Sequence, residues 1–379
     1  MKKFTKKEIL KMTEKELQKA IKQQPSAIRF IKNPSGEVQI IAVKEDYQTI
    51  KFIKTPSDEV QIAAIKQNTS IFKRMIWPSE KVQLAAVEID GKLIRYIISP
   101  SEKVQLAALN ENKYAFQYIK YASEKVQIVA VNKKGSLIEY IKNPSEEIQI
   151  AAVNKDEWAI CNIKNPCEEV QIAAVMKNEL LIKNIKNPTI KTQLCALEGE
   201  CFVFDSIKNP PEEVQKIAVE RNGLAIRYIK NPSEEVQIIA VSQNAYAIRY
   251  IKNPSEKVQR AAVKKDGLVL GYINNPSEEI KLAAIKNTGC AIYHIDNPSE
   301  EFKILAIKKN GCAIRYIKCV SEQLKILALK LDGTTIRYID NPSEELKIIA
   351  VRQNGLAIQY IKNPSEELNS RNNTKLGSI

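Results

Sequence analysis

The chain has 379 residues, of which 44% are apolar and 27% charged, and its formal net charge is +14. This is the composition of a folded protein, and it holds no apolar run near the ~18 residues that a membrane helix needs and no signal-peptide core. We therefore expect a soluble, cytoplasmic protein without a membrane partner. The seven cysteines are odd in number and follow no pattern, which predicts free thiols in a reducing compartment.

The first residues differ from the rest of the chain. Residues 1–24 carry eight Lys against three Glu, so five of the net positive charges belong to this segment. Thr5 and Thr13 each open a capping box, in which Glu follows three residues after Thr. We predict capping helices over 1–25.

A 22-residue repeat fills the rest of the chain. It is marked by the phrase "NPSEEVQ" and its variants, and its proline recurs at Pro34, Pro56, Pro78, Pro100, Pro144, Pro166, Pro188, Pro210, Pro232, Pro254, Pro276, Pro298, Pro342 and Pro364. Such a period is typical of solenoids, whose repeats bury apolar faces against one another. We predict an all-α solenoid of about sixteen stacked helix-turn-short-helix units as a single domain over 26–368. The tail 369–379 has nothing to bury and should be disordered.

One unit, 232–253, shows how the repeat should fold. Asn231 is expected to cap the first helix, Pro232 to occupy its first position and Glu234 its third. About twelve residues later six repeats have Gly after Asn or Asp, as at Asn222-Gly223, which predicts a left-handed glycine at the helix end. The segment that follows is short and predicts a 3₁₀ or short α-helix.

A polar row recurs in the middle of the first helix. It is Gln in eleven units and then Lys in four, at Lys281, Lys303, Lys325 and Lys347. A half-buried row of amides bonded to turn backbones explains the Gln positions, and a strip that contacts a partner is the alternative. Four buried ammonium groups without partners would be prohibitive, so we predict that these lysines reach water and form a contact strip.

Two basic rows run along the second segment beside a column of tyrosines. The first row includes Arg227, Arg249, Arg315 and Arg337, and a mostly Lys row follows it three residues later. Basic residues beside aromatic rings resemble a groove for single-stranded nucleic acid. The alternative is structural: the Lys row pairs with the glutamates of the next turn and the rings cover the layer junctions.

Motifs for chemistry are missing from the sequence. There is no Gly-rich phosphate loop, no nucleophile elbow and no Asp-rich metal motif, and the glutamates that recur in every unit are helix caps. His294 is the only histidine and lies in the Tyr column, where a packed ring is expected. Cys161, Cys167, Cys195 and Cys201 cluster where the Tyr column is interrupted, but their spacing is not that of a zinc site. We predict no enzyme activity, no cofactor and no metal.

The stretch "IRYIKNPSEEVQIIAV" resembles a bacterial and viral repeat family known only as a domain of unknown function. It is more distantly similar to the leucine-rich variant repeats, in which an α-helix and a 3₁₀ helix alternate in a right-handed solenoid. The resemblance covers nearly the whole chain, supports the solenoid and implies no active site.

Together these features predict a scaffold that binds a macromolecule, with a protein as the first expectation, along an extended curved surface. Inhibition of host machinery by a mobile-element protein would be one such role. The alternative is a solenoid that binds nucleic acid through its Lys and Arg rows. No small-molecule substrate is evident.

Overall fold

A computed structural model describes residues 4–199, 201–366 and 368, and of Cys201 and Phe202 only the backbone. The predicted tail 369–379 lies outside the described residues. Within them the chain forms α-helices and 3₁₀ helices and no strands, stacked in sequence as sixteen regular pairs. The predicted all-α solenoid is confirmed.

The α-helices that belong to the layers are nine or ten residues long, and the first helix of the chain, which precedes the layers, has four. Their bounds are α1 Lys6–Ile9, α2 Glu14–Gln23, α3 Gly36–Glu45, α4 Asp58–Gln67, α5 Glu80–Ile89, α6 Glu102–Glu111, α7 Glu124–Lys133, α8 Glu146–Lys155, α9 Glu168–Lys177, α10 Ile190–Glu198, α11 Glu212–Arg221, α12 Glu234–Gln243, α13 Glu256–Lys265, α14 Glu278–Asn287, α15 Glu300–Lys309, α16 Glu322–Leu331 and α17 Glu344–Gln353.

A six-residue 3₁₀ helix follows each of α2 to α17, so the short second segment is 3₁₀ rather than α. These helices are η1 Pro25–Phe30, η2 Tyr47–Phe52, η3 Thr69–Arg74, η4 Gly91–Tyr96, η5 Lys113–Tyr118, η6 Gly135–Tyr140, η7 Glu157–Asn162, η8 Glu179–Asn184, η9 Cys201–Ser206, η10 Gly223–Tyr228, η11 Ala245–Tyr250, η12 Gly267–Tyr272, η13 Gly289–His294, η14 Gly311–Tyr316, η15 Gly333–Tyr338 and η16 Gly355–Tyr360.

The first helices of the chain are capped as predicted. The backbone N–H of Thr5 donates to the Glu8 carboxylate at 2.7 Å, and that of Thr13 donates to Glu16 at 2.8 Å. The second bond holds the pKa of the Glu16 carboxyl below its usual value.

The start of the repeated helix was predicted two residues too early. The N-cap of α12 is Ser233, whose Oγ accepts the backbone N–H of Val236 at 3.3 Å, and the helix begins at Glu234. Asn231 instead has φ 53°, in the left-handed region that Asn tolerates better than most residues. Asn therefore turns the chain, and Ser caps the helix.

The predicted role of glycine was also wrong. Among the described residues no glycine has a positive φ. Asn222 instead closes the turn by accepting the backbone N–H of Leu224 on its Oδ1 at 3.0 Å. At Gly223 a Cβ would overlap the carbonyl oxygen of Ala240 in the next layer. Glycine is therefore there to allow close approach of two layers.

One alanine in each layer α2 to α17 forms the centre of the core. These residues are at most 2% exposed: Ala20, Ala42, Ala64, Ala86, Ala108, Ala130, Ala152, Ala174, Ala196, Ala218, Ala240, Ala262, Ala284, Ala306, Ala328 and Ala350. The residue just before each of them is partly exposed in nearly every layer and varies from Ala to Ile and Leu. Only the second residue of the pair therefore sets how closely the helices approach.

Polar contacts repeat from one layer to the next on the N-terminal side of the helices. The Ser145 hydroxyl donates to Glu124 and the Ser233 hydroxyl to Glu212, each at 2.7 Å. We call this the Ser–Glu ladder. It joins the cap of one helix to the first turn of the helix before it.

The chain divides into two compact parts, with the boundary inside α10. We call Met1–Thr192 unit 1 and Gln193–Ile379 unit 2. That the repeats form a single domain stays a prediction. None of the described helices has the length and apolar character that crossing a bilayer requires.

Candidate functional site

The glutamine row is structural. In ten of the 22-residue repeats the Gln Nε2 donates to the backbone carbonyl five residues earlier. Gln237 donates in this way to Pro232 at 2.9 Å and Gln39 to Pro34 at 2.8 Å. The amide thus ties the first turn of the helix to the turn that precedes it. The structural interpretation of these glutamines is confirmed.

The four lysines that continue the row in unit 2 have partners of their own. Lys281 lies 2.7 Å from the carboxylate of Glu278, and Lys303 lies 3.3 Å from Glu300. The side chains of the four lysines are 26%, 19%, 28% and 20% exposed, in chain order. The pairs in the next two layers are Lys325 with Glu322 and Lys347 with Glu344, both at 3.2 Å.

These ion pairs change what the lysine strip offers to a partner. Each ammonium is half-buried and neutralised by a glutamate on its own helix, three residues earlier. That Lys281, Lys303, Lys325 and Lys347 form a contact strip stays a prediction. A partner would meet one Lys–Glu pair in each layer rather than a free cation.

The arginines of the other row lie exposed on the 3₁₀ helices of unit 2 and stack on tyrosine rings. The guanidinium of Arg227 lies 4.6 Å from the ring centre of Tyr228, and that of Arg249 lies 4.9 Å from Tyr250. Cation–π contact fixes the long side chain against its own helix.

In the last layers the stacking becomes continuous. Arg315 lies between Tyr316 at 4.7 Å and Tyr338 of the next layer at 5.4 Å. Arg337 lies between Tyr338 at 4.8 Å and Tyr360 at 5.3 Å. Rings and guanidinium groups therefore alternate along the face. We call Arg227, Arg249, Arg315, Arg337 and the rings that they touch the Arg–Tyr column.

No carboxylate neutralises this column. Within residues 4–199, 201–366 and 368, none of these four arginines has a carboxylate oxygen within 4.0 Å. Two of the guanidinium groups donate to a tyrosine hydroxyl, Arg227 to Tyr228 and Arg337 to Tyr360 at 3.4 Å. Each guanidinium has five N–H donors, so the column keeps donors for a partner as well as its uncompensated charge. Of the two predicted contact rows, the arginine row is the one with unsatisfied charge.

His294 takes the place of a ring in the Tyr column and packs, as predicted. Its ring centre lies 4.9 Å from that of Tyr293, which in turn lies 5.2 Å from Tyr316. A Cβ at Gly271 would lie 2.6 Å from the imidazole, so glycine makes room for it. Burial lowers the pKa of His294, which favours the neutral ring.

The structural alternative for the mostly Lys row that follows the arginines was an ion pair with the glutamates of the next turn. For the described residues this expectation is wrong. Lys230, Lys252 and Lys318 make no ion pair there. Helix lysines pair instead with the preceding layer, as Lys81 does with Glu59 at 2.6 Å. That contact lowers the pKa of Glu59 to about 2. The side chains of Lys230, Lys252 and Lys318 are exposed.

Of the four clustered cysteines, the structure places Cys167 beside other possible ligands. Its Sγ and carboxylate oxygens of Glu146 and Glu169 lie within 4.8 Å of one another. Cys167 is the N-cap of α9, where most layers have Ser, and Glu146 is its partner in the Ser–Glu ladder. Burial raises the pKa of the thiol, which opposes the thiolate that zinc requires. The cluster is therefore explained without a metal: Cys167 occupies the capping position of the usual serine, and the two glutamates lie where a capping residue has its neighbours.

The serine that most layers have at this position predicts the effect of Cys167→Ser. The hydroxyl should accept the backbone N–H of Val170 and donate to Glu146 more strongly than the thiol does, because sulfur is a weak donor and a weak acceptor. We expect the free energy of unfolding to rise by about 1 kcal/mol, measured by urea denaturation. Cys161→Ser, at an exposed 3₁₀ position, is the control, and equal stability of the two variants would contradict the prediction.

Sequence analysis missed a row of exposed apolar side chains in unit 1. Ile76, Trp77, Ile98 and Tyr121 lie on the turns after η3, η4 and η5 and are 84%, 79%, 76% and 87% exposed. We call these four residues the apolar ridge. The signal was present in the sequence, because other layers have Lys and Asn at these positions, as at Lys142-Asn143.

Comparison with known proteins identifies no relative of this chain. No protein-family profile, curated protein or solved structure matches the chain. The resemblance to a repeat family of unknown function stays a prediction, and the site has to be judged on its own geometry.

Proposed function

We propose that this chain is a non-enzymatic scaffold of the cytoplasm that binds a protein partner through the Arg–Tyr column of unit 2. The observation that carries the proposal is the row of exposed arginines without carboxylate partners, each held against tyrosine. Arg and Tyr are the residue types that contribute most at protein interfaces. The six described cysteines are free, which supports a reducing compartment.

The chemistry of the column favours acidic groups on the partner. Arginine presents a planar fork of N–H donors that binds carboxylate with two parallel hydrogen bonds. Because the rings already hold the guanidinium groups in place, less side-chain freedom is lost on binding. The partner we expect carries Asp and Glu at a spacing that follows successive layers.

Nucleic acid is the second candidate, and the same unpaired arginines favour it. Phosphates would satisfy them, but base stacking needs open ring faces. The faces of Tyr316, Tyr338 and Tyr360 are approached by guanidinium groups at 4.7 to 5.4 Å. A base would have to displace an arginine, whereas a carboxylate would not. This contrast supports the protein partner.

Two variants that remove equal charge test the proposal. One changes Arg227, Arg249, Arg315 and Arg337 to Gln, and the other changes Lys281, Lys303, Lys325 and Lys347 to Gln. The second restores the residue that earlier units have at this position, so it should fold. Proteins are captured on each variant from a nuclease-treated host lysate, and the affinity of the captured protein is then measured with purified components.

We expect the arginine variant to bind the partner at least about tenfold more weakly, and the lysine variant to bind like the wild type. Equal losses in both variants would mean that net charge alone drives binding, and the proposal would fail. Labelled single-stranded RNA and DNA are tested in parallel across salt concentrations. Strong, steeply salt-dependent binding that only the arginine variant loses would select the nucleic-acid function. Inhibition of host machinery by a mobile-element protein is the role that we expected from the sequence, and the identity of the captured protein tests it.

A further inference from the structure

The apolar ridge of unit 1 has no structural explanation within the repeat. Its four side chains are between 76% and 87% exposed, so they contribute little to the core. They occupy three successive turns, which spans roughly 20 Å at the usual spacing of packed helices. Large apolar patches on a protein surface mark contact sites for other molecules.

Trp77 adds a backbone argument. Its φ is 52°, in the left-handed region, at a position where most layers have Asn. A bulky residue is strained there, whereas Asn is tolerated. Trp77 thus sits in an unfavourable conformation and gains no burial. Strain without structural benefit points to a function for the side chain.

Two basic cavities open beside the ridge. The first has a volume of about 550 Å³, and its lining includes Lys51, Lys54, Arg74 and the ridge residue Ile76. Arg74 stands here at a position where the neighbouring layers have an aromatic ring, as at Phe52 and Tyr96. Among the described residues that line this cavity there is no carboxylate.

The second cavity has the same character. Its volume is about 860 Å³, and the described residues that line it include Lys120, Lys142 and the ridge residue Tyr121 and no carboxylate. Among the described residues none of the five cations in the two cavities has an ion-pair partner. An anionic group therefore suits both ends of the ridge.

We propose that this edge of unit 1 binds the surface of an anionic lipid bilayer. Ile76, Trp77, Ile98 and Tyr121 enter the interfacial region, and the lysines and Arg74 of the two cavities hold headgroup phosphates. Trp and Tyr favour the interface between headgroups and acyl chains. Basic residues close to an anionic leaflet add to the attraction.

The shape of the ridge favours a bilayer over a peptide. A peptide that binds by apolar anchors needs a groove to receive them, whereas here the apolar side chains project from the turns. Projecting side chains need a partner that yields around them, as a lipid interface does. The sequence led us to expect no membrane partner because it contains no spanning segment, and peripheral binding requires none. This proposal does not rest on the protein-binding function of the Arg–Tyr column.

Cosedimentation of the full chain with vesicles tests the proposal. The vesicles are phosphatidylcholine alone, or phosphatidylcholine and phosphatidylserine at about 3:1. The ridge variant carries Ile76→Lys, Trp77→Asn, Ile98→Lys and Tyr121→Asn, which are the residues of other layers at these positions. It should fold, and it has two more positive charges than the wild type.

We expect the wild type to bind the anionic vesicles, and the ridge variant to bind them at least about tenfold more weakly despite its added charge. A second variant with Lys51, Lys54 and Arg74 changed to Gln should lose binding to anionic vesicles while keeping the ridge. In a Trp158→Phe background, Trp77 is the only tryptophan, and its emission should shift to the blue when vesicles are added.

Two results would overturn the proposal. If the ridge variant binds as well as the wild type or better, charge alone attracts the protein and the ridge does not insert. If the wild type binds neither vesicle, the ridge does not recognise lipid, and a protein partner with apolar pockets becomes the explanation for it. Circular dichroism of each variant confirms that a loss of binding is not a loss of fold.

Discussion

Replacing Ala262 with Ile is expected to lower the free energy of unfolding by about 3 kcal/mol, the upper part of the range for overpacked cores. Ala262 is 0% exposed in α13, and every layer from α2 to α17 has alanine at this position. Its carbonyl accepts the backbone N–H of Asp266 at 3.0 Å, so the backbone at the turn cannot move away without losing a bond. Three added carbon atoms would therefore separate neighbouring layers.

The adjacent residue provides the control. Ala261 is partly exposed, and other layers have Ile or Leu at the equivalent position, as at Ile239 and Leu305. We expect Ala261→Ile to change the free energy of unfolding by less than about 0.5 kcal/mol. Urea denaturation compares the two variants, and hydrogen exchange of α13 shows whether the loss is local. Equal stability of the variants would mean that the two alanines are interchangeable.

The fold could be predicted from the sequence to the level of layers. The 22-residue period, the short second segment and the glutamine that bonds a turn carbonyl all follow from spacing and from the need to satisfy buried polar groups. The turn itself could not be predicted. Asn, Pro and Ser are all plausible at a helix start, and only the φ of Asn231 and the bond to Ser233 show which residue turns and which caps.

Only part of the candidate site could be predicted from the sequence, and the reason is physical. The arginine row is visible in the sequence, but its lack of carboxylate partners depends on which direction each glutamate faces. The lysine strip looked free and is paired, because Glu278 lies three residues before Lys281 on the same helix face. The apolar ridge could not be predicted from the repeat pattern, because its four residues are departures from that pattern.

Glycine gives the other large expected effect, and the two positions compared look alike in sequence. Gly333 follows Asp332 and Gly311 follows Asn310, each at the start of a 3₁₀ helix. A Cβ at Gly333 would overlap the carbonyl oxygen of Ala350, while at Gly311 the equivalent oxygen, of Ala328, lies 3.5 Å from it. The first contact must be relieved by moving backbone, and the second is ordinary van der Waals contact.

We therefore expect Gly333→Ala to lower the free energy of unfolding by about 2 kcal/mol. This loss of stability should not unfold the protein, because Ala245 occupies the equivalent position in another layer and its methyl group is accommodated there. The shift would also strain the bond from the Gly333 N–H to Gln353 at 2.6 Å. Gly311→Ala should leave stability unchanged or raise it by up to about 1 kcal/mol, since alanine restricts the unfolded chain. Urea denaturation of the two variants under the same conditions measures both changes in the free energy of unfolding. If both variants lose the same stability, the glycines serve the turn conformation. Close approach between layers would then not be the reason for glycine at these positions.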